Sequence, residues 1–136
     1  MDNLFQQEPN KAEITLPGRP ITKKNSMQPV KAKNGRLYLL PSKAYRDYEN
    51  ECLMNLLEYK GPKFHGPVHV QALYWMPDNR SQPDLVNLEE ATADILEKAG
   101  IIDNDRNIDS WDGSRRMGVD KVNPRAEIVI EEMQRA

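Results

Sequence analysis

Nine acidic side chains fall between Asp84 and Asp112: Asp84, Glu89, Glu90, Asp94, Glu97, Asp103, Asp105, Asp109 and Asp112. Only Lys98 and Arg106 offset them, so this stretch carries a net −7. Carboxylates at such density are the donors that hold hard divalent cations such as Mg²⁺, Mn²⁺ or Ca²⁺ through oxygen. Other metal chemistries are poorly supplied. Cys52 is the single cysteine, which removes intrachain disulfides and cysteine-rich zinc sites together. His65 and His69 are the only histidines, too few for a His-based zinc or iron site. They have no partner visible in the sequence and receive no function. Any metal is therefore expected to be oxygen-ligated.

The complementary feature lies upstream. From Pro17 to Arg46 there are eight basic residues (Arg19, Lys23, Lys24, Lys31, Lys33, Arg36, Lys43, Arg46) and no acidic one, a net +8. The formal charge of −2 and the pI near 5.7 argue against a nucleic-acid binder only as averages, because such domains usually carry a basic excess. Split by segment, the sequence holds a basic stretch suited to phosphates and an acidic one suited to a metal. A metal-dependent nuclease needs both. Two solvated faces that neutralise one another would give the same numbers.

At residue level, Asp84 precedes a helical pattern, where an Asp is also an ordinary N-cap. At 100° per residue, Val86, Asn87, Glu90, Asp94 and Glu97 share one side of that helix. Glu90 lies one turn after Val86 and projects from nearly the same stripe. Gly100 stops the helix, and Ile101-Ile102 lead into Asp103-Asn104-Asp105; a return of the chain beside the helix would bring Asp105 toward Asp84. Asp112-Gly113 reads as a turn, with Arg115 and Arg116 after it as candidates for phosphate contact. Lys23 and Lys24 in a Lys-Lys-Asn-Ser loop, Lys31, Lys33 and Arg36 on a hairpin, and Arg80 in a polar loop are the remaining candidates for DNA backbone contacts. Basic hairpins are also common as solvated edges. Trp75 and Trp111 could stack on bases, but burial is the preferred reading.

The elements that must position these residues follow from apolar spacing. The chain has 136 residues, 38% hydrophobic and 29% charged, with a mean hydropathy of −0.78, enough for one compact domain. No apolar run is long enough to span a bilayer, and the N-terminal Met-Asp-Asn-Leu-Phe-Gln-Gln-Glu lacks the pattern of a signal peptide; the expected location is cytoplasmic, with no membrane partner. Residues 1–11 are expected to be flexible. Residues 12–16 alternate as a short strand ending at Pro17-Gly18. Asn34-Gly35 predicts a hairpin between 28–32 and 36–40, since both residues tolerate positive φ. Ser42 caps a helix over 43–59 with Tyr45, Tyr48, Cys52, Leu56 and Tyr59 on its apolar face, and Gly61-Pro62 ends it. Val68–Met76 has two largely apolar faces and reads as a central strand. A helix over 85–99 packs Leu85, Leu88, Ala91, Thr92, Ile95 and Ala99, and 125–133 alternates as a last strand. The predicted fold class is α+β: a small mixed sheet with two main helices packed on one face, in a single domain over 12–136.

The segment Pro83-Asp-Leu-Val-Asn-Leu-Glu-Glu-Ala-Thr-Ala-Asp-Ile-Leu-Glu-Lys-Ala-Gly-Ile-Ile-Asp-Asn-Asp-Arg-Asn-Ile108 resembles the core of the RusA family of Holliday-junction resolvases. That family shows an Asp-x-Asp-Asn-Leu-x-x-Lys helix, an Ala-Leu…Ala-Gly stretch, then an Asp-Asp pair and a short strand. The similarity extends over about Ala12 to Met133. It implies a RusA-like fold and a homodimeric, Mg²⁺-dependent endonuclease of phage or prophage type, with Mn²⁺ as a substitute, that nicks four-way DNA in recombination and repair. The family's first catalytic Asp falls on Asp84, its Asn on Asn87 and its last catalytic Asp on Asp105. Its second Asp falls on Val86 and its Lys on Glu90.

Two readings of these departures compete. In the first, Glu90 supplies the missing carboxylate, so that Asp84, Glu90 and Asp105 hold the metal and activate water for attack on phosphate. Lys23, Lys24 or Arg115 then supplies the lost positive charge. In the second, the protein only binds branched DNA. The first is preferred, because moving a carboxylate along one helical stripe is geometrically easy and a decayed site has no reason to keep so many acids. A third reading, from another class, is a non-enzymatic phage protein whose acidic helix binds a protein partner.

Overall fold

The computed structural model describes residues 10–23, 27–80 and 82–133. Its main sheet has β1 (Lys11–Pro17), β4 (Val68–Met76), β5 (Ile108–Ser110), β6 (Arg115–Val119) and β7 (Arg125–Glu132). β2 (Met27–Lys31) and β3 (Leu37–Pro41) form a separate two-stranded sheet. β7 lies between β1 and β4 and runs antiparallel to both, while β5 and β6 pair in parallel with the far edge of β4. The sheet is mixed and β4 is internal, as its two-sided apolar pattern predicts. The fold is α+β with two helices, α1 (Lys43–Leu56) and α2 (Leu85–Lys98).

One face of the sheet makes the core. Ile14 and Leu16 of β1, Val68, Val70, Ala72 and Tyr74 of β4, and Ala126, Ile128 and Ile130 of β7 are buried in one cluster with both helices. Tyr45, Tyr48, Cys52 and Leu56 are the buried residues of α1. Leu88, Ala91, Thr92, Ala93, Ile95 and Leu96 are those of α2. Tyr74 and Thr92 join hydroxyls at 2.7 Å across the strand–helix contact, and Thr92 donates to the Leu88 carbonyl at 2.9 Å. The outer face is only half-buried; there Arg125 stacks 4.0 Å above the Trp75 ring.

Several expectations shift by a turn or a strand. α1 ends at Leu56 rather than 59, because the chain tightens: Leu57 N–H donates to Met54 O at 3.2 Å and Tyr59 N–H to Leu56 O at 3.1 Å. Tyr59 instead folds back, its hydroxyl donating to the Pro62 carbonyl. At the hairpin only Gly35 takes positive φ (84°). Gly35 N–H donates to Ala32 O, Ala32 N–H to Arg36 O, and the Asn34 side chain accepts from Arg36 N–H. The turn is therefore a tight bend closed by one left-handed glycine. β1 begins at Lys11, inside the stretch expected to be flexible. No helix among the described residues is long and apolar enough to cross a membrane.

β5 and β6 are strands that apolar alternation does not reveal, although the resemblance implied a short strand after Asp105. Between them the Asp112-Gly113 turn docks on β4: the Gln71 amide donates to Gly113 O at 3.3 Å, and Ser114 Oγ accepts the Ala72 N–H at 2.9 Å. The serine hydroxyl thus fills the gap between the two short strands. Gly113 sits at φ 87°, and a Cβ there would lie 2.6 Å from the Gln71 amide nitrogen, so the turn needs glycine.

Candidate active site

Because α2 presses Leu88, Thr92 and Ile95 onto the core, the stripe bearing Val86, Asn87, Glu90 and Asp94 faces outward. It forms one wall of a cavity of about 700 Å³. Lys23 from the loop after β1, Met27 at the root of the hairpin, Asp105 and Trp111 complete the lining together with Glu89, Ala91 and Ala93. Asp105 opens a 3₁₀ turn (Asp105–Asn107) that is pinned to α2, since its N–H donates to Glu97 Oε1 at 2.7 Å. The chain does return beside the helix, but its anchor is Glu97 near the C-terminal end of α2 and not Asp84 at the N-cap.

Among the described residues, the cavity is lined by four carboxylates, Glu89, Glu90, Asp94 and Asp105, one amide, Asn87, and one cation, Lys23. Asp94 is engaged: its Oδ2 lies 3.5 Å from Lys23 Nζ and 3.3 Å from Lys98 Nζ. Lys98 also contacts both Glu49 oxygens, at 3.0 and 3.1 Å, and the Tyr45 hydroxyl donates to Glu49 at 3.1 Å. Burial alone would lower the Lys98 pKa, but Glu49 and Asp94 together hold it above its ordinary value. Burial, reinforced by Glu49, pushes the Tyr45 phenol well up. Burial likewise raises the Glu89 carboxyl above the usual carboxylate range.

Of the three proposed metal-holding residues, Glu90 and Asp105 share this cavity, while Asp84 stands outside its lining. Asp84 is exposed and occupies the N-cap position of α2, yet its carboxylate makes no capping hydrogen bond; capping does not engage it. Val86 is 62% exposed at the cavity wall. Among the described residues, no three His, Cys, Asp or Glu side chains stand together as a ready-made metal cage. Asp103 is turned away toward His65, 3.1 Å from its ring nitrogen, and His69 contacts Ser110 at 2.9 Å.

Among the candidate phosphate contacts, Lys23 is in the cavity wall and Lys24 lies outside the described residues. Lys31, Lys33 and Arg36 are exposed on the hairpin. Arg80 is exposed beside Asp78, whose carboxyl is held below its ordinary range chiefly by the Arg80 N–H, with Arg19 assisting. Arg115 and Arg116 are exposed on β6, and Arg116 Nη1 donates to Pro83 O at 3.3 Å, next to Asp84. Trp111 packs partly against the core and presents its remainder to the cavity.

Sequence reasoning placed Asp94 on the Glu90 side of the helix without assigning it to the site, and passed over Glu89 and Met27. The signal for the acids was present, since Glu89 and Asp94 follow Val86 at three and eight residues, along one helical face. Met27 carries no such signal.

The fold and the cavity define a small α+β domain with an acidic, lysine-flanked cleft on the outer side of its second helix. The family model described as endodeoxyribonuclease RusA matches residues 17–131, and the chain belongs to that family. The match runs from the end of β1 into β7, so it takes in the hairpin, both helices and every cavity residue. A search of curated proteins finds no match.

Proposed function

We propose that the protein is a Mg²⁺-dependent, homodimeric endonuclease that nicks four-way DNA junctions, acting through Asp84, Glu90 and Asp105. Family membership supports the nuclease class. The observation that carries the rest is that Glu90 and Asp105, from separate elements, line one cavity together with Lys23. The donor set is all oxygen, which suits Mg²⁺ or Mn²⁺. Mg²⁺ characteristically takes one or two carboxylates and completes its shell with waters and substrate phosphate, so a site without a three-carboxylate cage fits it. When bound, such an ion supplies Lewis acidity to the phosphate and an acidified water.

The chain's own residues do the remainder. Glu90 and Asp105 would hold the ion, with Asp84, exposed at the N-cap of α2, as the third proposed ligand. Lys23, positioned by Asp94, offsets the charge that gathers on phosphorus in the transition state. It takes the place of the lysine that the family pattern puts where this chain has Glu90. Two nicks across a symmetric junction call for two such sites related by a two-fold axis, hence the dimer.

The test is nicking of a synthetic four-way junction with Mg²⁺ or Mn²⁺. Asp84→Asn and Asp105→Asn should each abolish nicking and leave junction binding intact. An equal loss of binding would make them structural residues rather than ligands. Val86, an exposed apolar side chain in the cavity wall, favours a second reading, a branched-DNA-binding protein without catalysis. Wild-type inactivity at high enzyme concentration with tight junction binding would establish that reading.

A further inference from the structure

The β2–β3 hairpin pairs with no other strand among the described residues. Its register sets Lys31 opposite Leu37 and Pro29 opposite Leu39 on one face, with Val30 opposite Tyr38 and Gln28 opposite Leu40 on the other. Both faces are open: Leu37 is 73% and Leu39 68% exposed, and Val30, Tyr38 and Leu40 are exposed too. A lone two-stranded hairpin is barely stable in water, and a contiguous exposed apolar surface marks an interaction site.

Charge selects the partner. From Met27 to Ser42 the hairpin carries Lys31, Lys33 and Arg36 and no acid. A two-fold contact between hairpins of two copies would set these cations against themselves. Nucleic acid instead complements them through its phosphates. Leucines gain most where base faces are already unstacked, since an apolar wedge entering a regular duplex must first unstack a base step at a cost of about a few kcal/mol. A regular duplex hides those faces and a branch point offers them. At its root, Met27 lines the cavity, so a branch seated on the hairpin delivers an adjoining strand to the carboxylates.

We infer that the hairpin is a branch-point probe: Leu37 and Leu39 pack on unstacked bases at the crossover, and Lys31, Lys33 and Arg36 hold the flanking phosphates. This rests on branched DNA being the substrate, and it assigns the selectivity for branched over linear DNA to residues outside the cavity.

The experiment uses the full chain without divalent metal, a four-way junction with 2-aminopurine at the crossover, and a linear duplex of one arm pair. Wild type should prefer the junction and raise 2-aminopurine fluorescence on binding. The double variant Leu37→Ser/Leu39→Ser should lose the fluorescence rise and about tenfold in junction affinity, the scale of burying one leucine side chain, with linear binding unchanged. Lys31→Ala/Lys33→Ala/Arg36→Ala should weaken both DNAs alike. If the leucine variant keeps the preference and the fluorescence rise, the probe role is overturned while the endonuclease reading stands. If it changes only the oligomeric state in sedimentation, the hairpin belongs to a second copy and the inference is overturned. A wild type with no junction preference overturns both readings.

Discussion

Glu97 stands outside the cavity and touches no candidate ligand side chain, yet it holds the segment that delivers Asp105. Its Oε1 accepts the Asp105 N–H at 2.7 Å, while the 3₁₀ turn is closed internally by Asn104, whose Oδ1 accepts from Arg106 N–H at 2.9 Å and whose carbonyl accepts from Asn107 N–H at 3.0 Å. Glu97→Ala should therefore leave the turn folded and loosen it from α2 as a unit. A hydrogen bond to a charged acceptor is worth about 1.5–3 kcal/mol, and solvent access at this exposed pair brings the loss to about 1 kcal/mol. For a domain of this size that is a fall in Tm of about 3–5 °C. The catalytic cost should be larger, because a displacement of about 1 Å in a positioned group costs on the order of a hundredfold in rate. The assay is single-turnover nicking of a four-way junction, read beside the junction Kd and Tm. Glu97→Ala should drop the rate steeply at nearly constant Kd, and Glu97→Gln, which keeps an acceptor oxygen, should restore most of it. Full activity in Glu97→Ala would refute the positioning argument. So would failure of Glu97→Gln to recover the rate while recovering Tm.

Two further outcomes concern stability. Ile128 is 1% exposed and lies between Ile14 of β1 and Ala72 of β4, so Ile128→Ala should cost about 2–5 kcal/mol, measured as a lower urea midpoint at unchanged slope. A loss below that range would mean that the sheet closes over the cavity left behind. Asp120 is held below the ordinary carboxylate range by the Asn123 N–H, with Arg125 and the Val122 N–H assisting. A depressed folded-state value means that its contribution is present above the unfolded-state value and is lost as pH falls through the folded one. Asp120→Asn should therefore lower the urea midpoint at neutral pH, with the gap to wild type closing toward the acid end. A gap constant with pH would show that ionisation is not its source.

The parts of this fold legible in the sequence are those whose apolar spacing is local. Tyr45, Tyr48, Cys52 and Leu56 announce α1 at helical steps, and Val68 to Met76 declares an internal strand because both faces are apolar. β5 and β6 could not announce themselves that way. Ile108–Ser110 and Arg115–Val119 contain no buried residue, and they are strands only because β4 offers them a parallel edge far away in sequence. The candidate site divides on the same line. Glu90 and Asp94 follow from helical geometry, but Lys23, Met27 and Trp111 reach the cavity on a loop, a hairpin root and a strand end, where no periodicity operates.

The charge segregation is the one long-range feature that composition did expose, and the geometry bears on its two explanations. Two solvated faces that neutralise one another would also touch, but nothing would require them to do so at a concavity. They meet there: Lys23 of the basic stretch and Asp94 of the acidic one touch in the cavity wall, and Lys98 and Glu49 extend that contact to α1. Asp94 satisfies both lysines, so the cation beside Glu90 and Asp105 is held in place by a carboxylate that is itself engaged elsewhere. In the proposed reaction, phosphate would meet a lysine held by Asp94, and a metal would meet carboxylates from two elements.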